Sequence, residues 1–106
     1  MLKLTITYHL NTEGINNFDG FYCSLVEAIS KREGFHAINQ KTNENIVKLT
    51  VCFDSQEHLT KWASSSEHGN LKEKMEGYIS QPATATKEIV DFIGKGDITM
   101  PESNSA

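Results

Sequence analysis

Leu2, Leu4, Ile6, Tyr8 and Leu10 alternate with Lys3, Thr5, Thr7 and His9, and a period of two predicts a strand with one buried face. Asn11-Thr12-Glu13-Gly14 breaks that pattern. Ile15, Phe18, Phe21, Tyr22, Leu25, Val26 and Ile29 then recur at steps of three and four, the stripe of an amphipathic helix over roughly residues 15–32. Asp19-Gly20 inside it weakens the first half, since glycine costs a helix about 1 kcal/mol. Gly34 ends the helix, as glycine does just past a C-cap. A second strand is expected from Phe35 to about Lys41, followed by the polar turn Lys41–Asn45. Val47, Leu49, Val51 and Phe53 alternate with Lys48, Thr50 and Cys52 in a third strand.

Asp54 with Glu57 reads as a capping box for a short helix carrying Leu59, Trp62 and Ala63. Ser64 with Glu67 repeats the signal for a second helix, with Leu71, Met75 and Tyr78 inward. Gln81–Thr86 reads as a loop and Glu88–Ile93 as the last strand. Residues 94–106 form a polar tail, expected to be mobile or draped over a partner. The order strand, helix, strand, strand, helix, strand makes one α+β domain over residues 1–93, a ferredoxin-like βαββαβ sandwich. Its helices cover one sheet face. The other carries Thr, Lys, Cys and His, suited to solvent or to a second copy of the chain.

A chain of 106 residues fits one domain. With 38% hydrophobic residues and seven glycines it has the composition of a globular protein. A core of this size is modest, which favours a homodimer that buries more apolar surface. The net charge of −4 and the lack of any basic cluster longer than Lys31-Arg32 argue against nucleic acid as a partner. No apolar run approaches the ~20 residues that cross a bilayer, so no membrane partner is expected. The alternating N-terminus does not resemble a signal peptide, which points to the cytoplasm. Cys23 and Cys52 are too few for a disulfide scaffold and too far apart for a zinc site, and read as plain buried thiols.

No glycine-rich phosphate loop, Cys-x-x-Cys pair, zinc-binding His-Glu-x-x-His or Gly-x-Ser-x-Gly elbow occurs. Glu57-His58 and Glu67-His68 place imidazoles beside carboxylates, but adjacent helical residues do not face each other. Their plain reading is solvated residues at helix starts. His9 and His36 read as surface or satisfied structural histidines. Trp62, the sole tryptophan, is either a core anchor or the wall of a pocket. Tyr8, Tyr22, Phe18, Met75 and Tyr78 could line the same space between helices and sheet.

The stretch Val51–His68 carries a further signal: a strand ending in Phe53-Asp54-Ser55, then Leu59-Thr60-Lys61-Trp62, then Ser65-Ser66-Glu67-His68. This resembles the antibiotic biosynthesis monooxygenase superfamily, as does Glu33-Gly34-Phe35 leading into the second strand, and the element order agrees from Leu2 to Phe92. The resemblance implies a dimeric α+β barrel, with two sheets packed through their bare faces. It also implies several activities. One is a cofactor-independent monooxygenase acting on a small phenol- or quinol-type aromatic, with His68 or His9 as base, Tyr8 or Tyr22 as orienting donor and Trp62 as pocket wall. No metal or cofactor is called for in that reading. Another is a non-catalytic ligand-binding or regulatory dimer on the same scaffold. The haem-degrading branch of the superfamily uses an Asn, a Trp and a His. Here Trp62 matches, but Thr7 or Tyr8 stands at the Asn position and Lys72 at the His position.

Overall fold

The computed structural model describes residues 1–89. The alternating N-terminal segment forms β1 (Leu2–Leu10). The first helix, α1 (Thr12–Ile29), starts earlier than its apolar stripe suggests, because the Asn11 side chain caps it by accepting from the Gly14 N–H at 2.8 Å. Asn11 also ties this end of α1 across the fold: its N–H donates to the Tyr78 carbonyl at 2.9 Å and its Nδ2 to that of Gly77 at 3.1 Å. Gly14 sits so close to Tyr78 that a Cβ there would fall on the Tyr78 carbonyl. The helix passes through Gly20 and ends at Ile29, short of residue 32.

Gly34, at φ 85°, turns the chain into β2 (Phe35–Asn43), which pairs with β3 (Ile46–Phe53). A register shift falls between Phe35 and Ala37. His36 sits there with its Nε2 buried and without a hydrogen-bond partner, so it is not the satisfied or surface histidine expected. Two helices follow, α2 (Gln56–Ala63) and α3 (Ser66–Glu76). Both capping signals shift by one residue. The caps are Ser55 and Ser65, whose side chains accept the His58 and His68 N–H groups. Asp54 is drawn away from capping to the His58 ring, and Ser64 closes α2 instead of opening α3.

The last strand, β4 (Ile79–Ile89), corrects the expected loop at 81–86. It pairs with β1 from Leu10↔Ile79 to Leu2↔Ile89, with register shifts around His9 that accommodate Pro82. Its polar sequence follows from its position: β4 is an edge strand whose residues beyond Ile79 are all exposed. Residues 90–93 of the expected strand and the 94–106 tail lie outside the described residues.

The antiparallel sheet has the order β2-β3-β1-β4. Its helix-facing side carries Leu2, Leu10, Val47, Leu49, Val51 and Phe53, which pack with Phe18, Phe21, Leu25 and Ile29 of α1 and with Leu59, Trp62, Leu71 and Met75. The other side presents the row Asn39–Thr50–Thr5–Thr86 and the row Lys41–Lys48–Thr7–Thr84. Cys52 is buried and burial raises its thiol pKa, whereas Cys23 is exposed on α1, against expectation. No described helix is long and apolar enough to cross a membrane.

Candidate active site

Between the sheet and α2–α3 lies a cavity of about 800 Å³, within the range of small-molecule sites. Its floor is the apolar row of β1 and β3, with Leu4, Ile6, Leu49 and Val51, and α1 closes it with Phe21, Leu25 and Ile29. The helices supply Leu59, Trp62, Leu71 and Met75. Polar groups are Tyr8 from the sheet, Gln56, Thr60 and Ser64 from the α2 region and His68 from α3, with the charged Lys72, Glu76 and Lys87 at exposed positions.

Trp62 is both anchor and wall. Only 4% of it is exposed, yet it borders the cavity beside Tyr8 and Met75. The His68 ring meets it edge-on, with centroids 5.4 Å apart, and the Arg32 guanidinium lies 5.9 Å from the indole centroid. Arg32 is itself held by Glu67 at 3.3 Å. Glu67 and His68 thus both act on the indole, one through Arg32 and one directly.

His68 is half-buried. Burial, with a smaller contribution from nearby Lys72, lowers its pKa, so the imidazole is neutral at pH 7. Its backbone N–H is taken up by Ser65, while neither ring nitrogen has a hydrogen-bond partner among the described residues. Burial raises the pKa of Tyr8, which keeps its hydroxyl a neutral donor.

The remaining candidates lie elsewhere. His9 follows Tyr8 on β1 and pairs with Ile46 on the opposite sheet face, outside the cavity. Tyr22 stacks on Phe18, with centroids 5.9 Å apart, and Tyr78 meets Phe21 edge-on at 6.5 Å; neither lines the cavity. Of the residues expected at the pocket, His68, Tyr8, Trp62 and Met75 converge there. Sequence reasoning missed Lys87, which the strand register places on the helix-facing side opposite Leu4. The signal was in the polar 81–89 segment but could be read only once that segment was known to pair with β1.

His58 is not a solvated helix-start residue either. Its Nδ1 lies 2.6 Å from Asp54 Oδ1 and its Nε2 3.7 Å from Glu33 Oε2, outside the cavity. Gly34 makes room for this pair, since a Cβ there would meet the His58 ring and lie 2.6 Å from Asp54 Oδ1. Among the described residues, no group of three or more His, Cys, Asp and Glu side chains could hold a metal ion.

No family model matches the chain, and no curated protein matches it. Solved structures do. A protein from Nitrosomonas europaea, provisionally named an antibiotic biosynthesis monooxygenase, superposes with a TM-score of 0.79 at 7% identity, over 87% of this chain and 100% of its own. A second antibiotic biosynthesis monooxygenase structure gives 0.77 at 15% identity, over 86% and 99%. A conserved protein from Methanosarcina mazei Go1 gives 0.77 at 13% identity, over 82% and 89%. The fold is therefore that of the antibiotic biosynthesis monooxygenases, a ferredoxin-like βαββαβ sandwich. At these identities the likeness extends to the fold and stops short of activity.

Proposed function

We propose that the chain is a cofactor-independent monooxygenase acting on a small electron-rich aromatic, a phenol or quinol, bound in the cavity between the sheet and α2–α3. The observation that carries this reading is His68: an imidazole whose ring nitrogens have no hydrogen-bond partner among the described residues and whose pKa burial lowers, set edge-on against Trp62 in an apolar wall. The neutral ring takes the proton of an acidic hydroxyl. Tyr8 orients the ligand, and the surrounding apolar side chains exclude water from the electron-rich anion while it reacts with O₂. The substrate supplies all four electrons that O₂ takes up. A dihydroxynaphthalene and O₂ give a hydroxynaphthoquinone and water, with one oxygen atom entering the ring and the other leaving as water.

The working unit in this proposal is a homodimer through the threonine-rich sheet face. That face presents Thr5, Thr7, Thr50, Thr84 and Thr86 and carries no helix among the described residues. The alternative reading, a ligand-binding dimer without catalysis, is supported by the same cavity and needs no base.

Oxygen uptake with 1,4-dihydroxynaphthalene separates the two. The monooxygenase reading expects uptake well above spontaneous oxidation, and loss of most of it in His68→Gln, about 10²-fold or more for a general base. Its pH profile holds its plateau down through pH 7 and falls only below the ordinary histidine range of about 6.5. Saturable binding of the quinol with uptake no faster than in buffer would reject catalysis in favour of the binding reading.

A further inference from the structure

The helix-facing side of the sheet is built in rows, and one row breaks its own chemistry. Ile38 on β2 pairs with Val51 on β3, Val51 with Leu4 on β1, and Leu4 with Lys87 on β4. Three apolar residues lead to a lysine at a position that faces the cavity. The next row, Gln40–Leu49–Ile6–Ala85, ends in a small apolar residue. Lys72 stands one helical turn beyond His68 on α3 and also lines the cavity, close enough to lower the His68 pKa. Glu76, a turn further on, is the one acidic group of the lining among the described residues. None of Lys72, Lys87 and Glu76 has an ion-pair partner among the described residues. With His68 neutral, the lining therefore carries a net positive charge above an apolar interior.

We propose that the cavity selects an amphipathic monoanion: a flat apolar body of naphthalene size seated against Trp62, with an ionised acid group at the mouth between Lys72 and Lys87. This rests on the cavity being a ligand site and adds to that reading the charge of its ligand. The apolar interior desolvates the ring system, while the exposed lysines receive the charged group without its being stripped of all its water. Lys87 has an additional part, since its aliphatic stem continues the apolar row while its ammonium reaches solvent. A neutral ligand of the same shape gains the first contribution and not the second.

Calorimetric titration with 2-naphthoate and its uncharged isostere 2-naphthamide tests this. The acid is expected to bind about 10-fold or more tighter than the amide at low salt, as one partly screened charge contact contributes. The gap should narrow in high salt. It should also close in the double variant Lys72→Met/Lys87→Met, whose sites are exposed, acid and amide being compared within that variant. Equal binding of acid and amide would overturn the charge selection while leaving the cavity a ligand site. An acid preference that survives in the double variant would overturn it as well. Failure of both compounds to bind at millimolar concentration would overturn this inference together with the ligand-site reading beneath it.

Discussion

Trp62 connects stability and function in a single side chain. Removing a buried tryptophan costs about 3–5 kcal/mol where the site cannot collapse. Here one edge already borders an open cavity, so the void left by Trp62→Ala adds less, and the loss should fall near the lower end of that range. For a domain of this size, about 3 kcal/mol lowers the thermal midpoint by roughly 12 °C or more, measurable by circular dichroism. A shift of only a few degrees would mean that the indole is not the anchor its 4% exposure indicates. His58 sets a different balance. The Asp54 hydrogen bond is the largest cause that raises its pKa, Glu33 adds to this, and desolvation and Lys61 oppose it. The folded state therefore holds the proton to higher pH than the unfolded chain does. The stabilisation is complete below the ordinary value of about 6.5 and fades as pH rises through the raised one. Asp54, lowered chiefly by the same bond, shows the reverse: its stabilisation is present above the ordinary carboxylate value and is lost as pH falls through the lowered one. Urea midpoints of wild type and His58→Gln should thus differ most between those limits and converge at alkaline pH. A difference that does not vary with pH would rule out the ion pair as its source.

At the scale of elements, the local rules held where a segment is packed on one face and failed where tertiary contacts dominate. β1, β3 and the stripe of α1 were legible because each buries alternate or every third to fourth residue. β4 was not, because an exposed edge strand needs no apolar periodicity and is held by its ladder with β1. The cap of α2 lies one residue beyond Asp54 because Asp54 has a stronger partner in His58 than the backbone offers, and that of α3 lies one beyond Ser64 because Ser64 closes α2, both visible only in three dimensions. The glycines of α1 separate local from tertiary effects. Gly20 has no neighbour within 4 Å of an added Cβ, so Gly20→Ala should stabilise by about 0.5–1 kcal/mol through helix propensity alone. Gly14→Ala, within the same helix, should destabilise because its methyl group would displace the Tyr78 carbonyl and open the α1–β4 junction. Denaturant midpoints that move the same way for both would contradict that packing.

For the whole molecule, the sequence pointed to the fold and to four of the cavity residues: strand alternation and helical spacing place Tyr8, Trp62 and Met75 on inward faces, and His68 entered as the candidate base of the family resemblance, against its plain reading as a solvated helix-start residue. It could not exclude His9, since face assignment depends on which side the helices cover, nor Tyr22 and Tyr78, whose rings are taken up by Phe18 and Phe21. Lys87 stayed hidden with the strand that carries it. The bare threonine face leads to an expectation about assembly: light scattering should give about 24 kDa, twice the 11.9 kDa chain, and a monomer mass at micromolar concentration would contradict the dimer. The central claim is that the space beside Trp62 receives an aromatic ligand, and the emission of this sole tryptophan reports on it directly. Titration with 1,4-naphthoquinone, using a Cys23→Ser variant so that no exposed thiol reacts, should quench Trp62 saturably with one site per chain. Calorimetry under the same conditions should give the same affinity. Calorimetrically confirmed binding that leaves the emission unchanged, or quenching that only rises linearly with concentration, would contradict the account.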